Sequence, residues 1–353
     1  MRRSVRPSAL GNLIAAVLFV GLSATIWFLV NGFEVAREEG FDPLRYEYFA
    51  RSDLPEYLAD SSSYTIVLLL KFIYQHLPFY IGFVAFIGLC VFAVLNGDDR
   101  KELRYATLSP LAFFYVAQTG KDGLAILALA SIAIIATKRI SVWHAALAIV
   151  ISIAVLVRPA LVLFLPLAFV SIRYGLRKAT AFAVVVSAVF LATGTGEESL
   201  SMLEGIVSDE GSGALAQLGR ELTLGYSPIP VAGRSILLLV SPFIQPLGSV
   251  VKFLSGADPF VIFEGACQLL FLFALIRHRI LTTFIVNSIP FIVVVAAASP
   301  FYHFRYMAIL YPVIFSISIL SRQRTSQLSE YRNLKRAHQA NPTAHLRLQG
   351  HEY

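Results

Sequence analysis

"VWHAALAIVISIAVLVRPALVLFLPLAFVSIRYGLRK", residues 142–178, sets two apolar runs, 142–157 and 160–173, back to back around Arg158 and Pro159. Three cations, Arg173, Arg177 and Lys178, follow directly. An α-helix rises 1.5 Å per residue and a bilayer's hydrocarbon core is about 30 Å thick, so runs of this kind predict paired helices crossing lipid. The polar break between them and the cations after them predict a tight hairpin with its basic residues at one end. The same arrangement recurs along the chain, and it decides the fold class: an all-α, polytopic helical membrane protein.

The composition agrees. The 353 residues are 57% hydrophobic and only 14% charged, with a mean hydropathy of +0.69, whereas soluble domains carry about 25% charged residues. Strands of alternating polarity are absent, which argues against a barrel. Cys90 and Cys267 both fall inside apolar runs and read as small packing residues rather than halves of a disulfide. The first 31 residues have a basic flank, but the apolar run is too long for a signal-peptide core, so a retained first helix is expected.

The net charge of +7 could point to nucleic acid, but its distribution points to a membrane. Of 29 Lys and Arg, 19 fall in six segments: before Ala9, in "NGDDRKELRY", "TKRI", "IRYGLRK" and "RHR", and in the tail after Leu320. That alternation is the positive-inside pattern. Apolar runs read against these anchors predict ten spans near 9–31, 77–95, 106–120, 122–137, 142–157, 160–173, 179–195, 259–276, 280–298 and 304–320. Both termini then lie in the cytoplasm. Two acidic loops lie outside: 32–61 with eight Asp or Glu against three Arg, and 196–233 with six against Arg220.

Two stretches do not fit as crossings. Residues 62–76 are short and contain Lys71 and His76, while 234–255 carries Pro242 and Pro246 in its middle. A single crossing by either would place later basic segments outside, so both are expected as interfacial or re-entrant helices on the outer face, with a two-crossing hairpin as the alternative for the second. Residues 1–320 are thus one transmembrane domain, and 321–353 form a polar cytoplasmic tail.

This topology places cations where they are unexpected. A charge at the bilayer centre costs roughly 2.5–3.5 kcal/mol, yet "YVAQTGKDGLAILALA" sets Lys121 beside Asp122 between apolar runs. The hairpin geometry moves both to its outer end. Arg158 in "AVLVRPALVLF" and Arg305 in "ASPFYHFRYMAILYP" recur at outer ends as well. Converging on one cavity, such cations would hold a strongly anionic group, since Arg offers a planar fork to phosphate and Lys a compact charge. The alternative for each alone is snorkelling to headgroups.

Asp122 is expected to neutralise Lys121, cap the following helix or take part in the site. Tyr302 and His303 stand just before Arg305, and His303 is a candidate general acid or phosphate donor against a structural hydrogen-bonder. Asp42, before Pro43 in "FDPLRYEYFA", is either a helix cap or a base within reach of a sugar hydroxyl, with Glu39 in reserve. Glu264 lies roughly two turns below the outer surface, where intramembrane acids face the bundle interior. Asn287 reads as a helix-packing residue and His144, beside Trp143, as an interfacial anchor.

The chain has no H-E-x-x-H, no Cys pair at metal spacing, no G-x-x-x-x-G-K-[ST], no G-x-S-x-G and no strand followed by G-x-G-x-x-G. Three segments, "FDPLRYEYFA", "GKDGLAILALASIAIIATKR" with "VLVRPALVLFLPLAF", and "SPFYHFRYMAILYPVIF", resemble bacterial polymerases of O-antigen and exopolysaccharide repeat units, and more broadly multi-spanning glycosyltransferases acting on lipid-linked sugars. That resemblance implies a helical fold with a periplasm-facing cavity in the inner membrane and substrates carried on undecaprenyl phosphate or diphosphate. It further implies phosphate binding by Lys121, Arg158 and Arg305, and an acid at Asp42. Other polysaccharide-assembly proteins and the lipid bilayer are the expected partners.

The sequence departs from the family in its large outer loop, which offers only Arg220 and, at its edge, Arg234, where polymerases often carry several functional arginines. No D-D or D-x-D pair stands in the first loop, so a metal-independent reaction without cofactor is expected. The rival reading is a flippase for a lipid-linked oligosaccharide, binding the same diphosphate without chemistry; its usual internal repeats are not seen. A membrane acyltransferase would need a His deep in a span with a nearby acid or Asn, and only His144 offers support for it.

Overall fold

The computed structural model describes residues 8–32, 46, 48–50, 64–77, 79–97, 101–116, 118, 120–137, 142–192, 228–254, 259–298 and 304–340, and contains no strand among them. The helices are α1 (Ala9–Gly32), α2 (Tyr64–His76), α3 (Phe79–Gly97), α4 (Lys101–Leu108), α5 (Pro110–Val116), α6 (Lys121–Thr137) and α7 (Trp143–Val157). They continue as α8 (Leu161–Tyr174), α9 (Leu176–Ala192), α10 (Pro228–Leu254), α11 (Pro259–Arg277), α12 (Leu281–Ala298) and α13 (Phe304–Ala340).

Three segments, Ala9–Leu29, Tyr80–Gly97 and Leu281–Ala298, are long and apolar enough to cross a membrane, and Trp143–Val157, Leu161–Tyr174 and Val231–Ile244 are shorter apolar helices. Helices are the natural form for such sequences, because in hydrocarbon every backbone N–H and C=O must be bonded within its own segment. Large apolar side chains also face outward: Leu18 and Phe28 on α1, Ile81 and Leu89 on α3, Val185 on α9 and Phe273 on α11 are all exposed. In water such a surface would drive aggregation; against lipid it is neutral.

Long-range contacts divide the helix ends into two sets. At one end Asn12 Nδ2 donates to Leu95 O (3.3 Å) and Asn96 Oδ1 (3.1 Å), and Arg104 Nη2 donates to Asn12 Oδ1 (3.4 Å). The same end holds His278, whose ring packs on Tyr105 and Phe315, and Arg322, which donates through Nη1 to His278 O and Arg279 O. This is the basic end, for it also gathers the start of α9 and the end of α8. At the opposite end Ser187 Oγ donates to Val293 O (3.3 Å), each residue five short of its helix end.

α6 is the central helix, buried from Asp122 through Ser131 and packed on α3, α4, α5, α7, α8 and α13. Its Gly, Ala and Ser residues let neighbouring backbones approach, which is how helices associate when lipid removes the hydrophobic drive. Elsewhere Asn287 Nδ2 donates to Ser318 Oγ (3.1 Å), tying α12 to α13 as a packing hydrogen bond. Cys90 and Cys267 are buried free thiols.

Several segments differ from the sequence expectation. The run 106–120 is not one helix. It breaks at Ser109, whose Oγ accepts from the Ala112 N–H (3.1 Å) as a cap, with Pro110 at the first position of α5, where a missing N–H is harmless. Residues 234–254 lie within one continuous helix, α10, rather than in a two-crossing hairpin. α13 continues past Ser321 to Ala340, and its residues 322–327 are exposed, so the polar tail begins as an extension of the last apolar helix.

α10 meets its neighbours through two side chains of its first half. Arg234 meets Ala296, two residues before the end of α12, and Ser241 meets Tyr311, seven residues into α13. Seven residues of helix descend about 10 Å from the opposite end, and Pro242 and Pro246 follow there. α11 starts from that same end, because Phe263 packs on Phe113 and Phe114 of α5.

Candidate functional site

The site lies at the opposite end, where α5 hands over to α6 and α7 to α8. After α5 the chain turns on itself: the Gln118 N–H donates to Tyr115 O (3.2 Å), Gln118 Nε2 to Phe114 O (2.9 Å) and the Gly120 N–H to Gln118 O (2.6 Å). This fixes the start of α6 against the end of α5. The approach is so close that a Cβ on Gly123 would stand 2.8 Å from Tyr115 O, so only glycine fits. Lys121 is half-buried and Asp122 buried at this terminus.

The second corner is built by Arg158. It leaves the helical region at the end of α7 (φ −138°, ψ 83°) while its N–H still bonds Ala154 O (2.8 Å), and its C=O accepts from the Leu161 N–H (3.0 Å). Pro159 follows, fixing the turn and carrying no N–H to satisfy. The corner turns the Arg158 side chain inward, where its Nη1 forms an ion pair with Asp122 Oδ1. The two side chains are only 10% and 3% exposed.

Residues 36 positions apart in the chain thus meet in the interior of an apolar bundle. Asp122 takes Arg158 as an ion-pair partner, where the sequence pointed to its neighbour Lys121. Arg158 does not snorkel. Removing either partner would strand a charge in low dielectric, while the pair together is nearly neutral to its surroundings.

Arg234 is also fully buried, at 0% exposure, and its Nε and Nη2 donate to Ala296 O (3.3 and 2.8 Å) at the end of α12. That carbonyl belongs to the last turn of a helix, where negative partial charge collects and cations are stabilised. Glu264 is half-buried on α11 and accepts from Gln268 Nε2 (3.2 Å), one helical turn on. Arg305 is the second residue of α13, with only its backbone described. Asp42, Tyr302 and His303 lie outside the described residues.

Cations are therefore sorted by burial. At the basic end Arg173, Arg177, Lys178, Arg277, Arg279, Arg322 and Arg324 are exposed and Arg104 is half-buried, whereas at the opposite end Arg158 and Arg234 are buried and Lys121 is half-buried. Chemically, the guanidinium of Arg158 can hold an anionic group, Arg234 is committed to the Ala296 carbonyl, and Glu264 can accept a proton.

Sequence reading did not single out the Ser241–Tyr311 contact, Oγ to Oη at 2.5 Å, or Gln268. The four-residue spacing from Glu264 to Gln268 was available as a signal; nothing local marks Ser241 for Tyr311. Among the described residues no group of three His, Cys, Asp or Glu is placed to hold a metal ion. The chain matches no family model, no curated protein and no solved structure closely enough to lend it a family or a fold by likeness.

Proposed function

We propose that this chain is a membrane glycosyltransferase of the polysaccharide-polymerase type, using polyprenyl-(di)phosphate-linked sugars at the outer face of the bacterial inner membrane. The helices of the bundle make about ten crossings, with both termini and the exposed basic end in the cytoplasm and α10 re-entrant from outside. Arg158, supported by Lys121 and Arg305, binds the diphosphate and offsets the charge that develops as its bond to the sugar breaks. Asp42 takes the proton of the acceptor hydroxyl, with His303 and Tyr302 beside the leaving group. Arg234 and Glu264 line the same outer end, and the isoprenoid runs between helices in the lipid.

The observation that supports this reading is the burial of Arg158 and Arg234 at one end of the bundle, while most cations of the basic end are exposed, as snorkelling to headgroups requires. One feature favours the flippase instead, for α10 carries Pro242 and Pro246 inside an apolar helix, and interrupted helices are a device of transporters. A single experiment separates the two. In a deletion strain complemented with Arg158→Gln/Asp122→Asn, which removes both charges together, a polymerase leaves single-repeat saccharide on the outer surface. A flippase leaves none there. Normal long chains from this variant would refute both readings.

A further inference from the structure

The ion pair at the site has a feature that anion binding alone does not require: Arg158, the residue best placed to hold a phosphate, already has a carboxylate on it. We infer that Asp122 is the resting occupant of a phosphate subsite, which an incoming polyprenyl diphosphate displaces. This rests on the reading of the chain as a handler of lipid-linked diphosphates and adds how its site is held closed and then opened.

The geometry suits an exchange. Arg158 is at a helix corner, and its side chain keeps some exposure (10%) where that of Asp122 keeps almost none (3%). The start of α6 cannot yield, because Gly123 is pressed against the Tyr115 carbonyl. The carboxylate is therefore the moving part, and rotation about the Asp122 side chain is enough. Once displaced it stays in the first turn of α6, beside Lys121, where the orphan N–H groups and the positive end of the helix dipole favour a negative charge.

A diphosphate is the better partner for the fork of Arg158, since its oxygens accept two parallel N–H bonds and it carries more charge than a carboxylate. Without ligand, Asp122 keeps the buried guanidinium from being stranded. With ligand, the exchange leaves no charge unpaired. No covalent step is involved.

The test is equilibrium binding to the purified full-length protein in nanodiscs, with three probes: undecaprenyl diphosphate, inorganic diphosphate and phosphatidylglycerol. Removing the internal competitor must tighten binding, so Asp122→Asn is expected to hold undecaprenyl diphosphate tenfold or more tightly than wild type, and Arg158→Gln to lose it. Inorganic diphosphate bound as well as the lipid would assign the subsite to the free anion; tighter binding of phosphatidylglycerol by Asp122→Asn would mean a general headgroup contact and overturn the inference.

Both readings expect a less stable Asp122→Asn protein, but a purely structural pair predicts affinity unchanged or weaker, which would overturn the exchange while leaving the underlying reading intact. If neither wild type nor Asp122→Asn binds any probe, both fall together. Should Asp122→Asn fail to fold, wild type labelled with 13C-aspartate decides the matter. Adding undecaprenyl diphosphate must shift a carboxylate infrared band that is missing in Asp122→Glu, and an unmoved band overturns the inference.

Discussion

Replacing Arg158 by methionine should destabilise the protein by about 3–5 kcal/mol, the loss expected when one partner of a buried ion pair is removed. Methionine fills similar volume, so little of the effect comes from a cavity. It comes from Asp122, whose side chain is 3% exposed and would be left charged, or forced to take up a proton, inside an apolar bundle. The lower end of the range applies in micelles, where separated helices still find partners for their polar groups; about 3 kcal/mol is on the order of a hundredfold in the unfolding equilibrium. The companion variant Arg158→Met/Asp122→Leu removes both charges and should recover most of the loss, because a well-packed apolar replacement for a buried pair is often neutral or stabilising. The assay is unfolding by SDS in mixed micelles, followed by tryptophan fluorescence from Trp27, which is buried, and Trp143. A single-variant loss under about 1 kcal/mol, or a double variant as damaged as the single, would refute the claim that the two charges depend on one another.

Two further outcomes follow from packing. Gly123→Ala should cost about 1–3 kcal/mol in the same unfolding assay, since its Cβ would meet backbone atoms of Tyr115 and Val116 at 2.8 and 3.0 Å, and backbone moves less readily than a side chain. Cutting the chain after Arg324 should leave the unfolding midpoint unchanged, whereas Arg322→Ala should lower stability by about 1 kcal/mol by freeing the carbonyls of His278 and Arg279 at the turn between α11 and α12.

Much of the fold was legible because hydropathy is a local sum. The helices α1, α3, α6, α7, α8, α9, α11 and α12 fall within a few residues of the apolar runs that announce them. The break at Ser109 was written in the chain as a Ser-Pro pair but was hidden by the apolar residues on both sides. The continuation of α13 to Ala340 was hidden for a different reason: a helix already nucleated by burial extends through polar residues at little expense, and composition alone reads them as a tail.

The site was half legible. Lys121, Asp122 and Arg158 stood out because charges are rare in apolar sequence, but the expected neighbour of Asp122 was Lys121, adjacent in the chain. Its shown partner is Arg158, on another hairpin. By itself the sequence determined an all-helical chain with helices apolar enough to cross a membrane, since transfer energies are set residue by residue. Only the tertiary structure decided that Arg158 faces inward onto Asp122, that Arg234 caps α12 and that Ser241 of α10 meets Tyr311 of α13, because each depends on the register between helices, which no local property of either helix encodes.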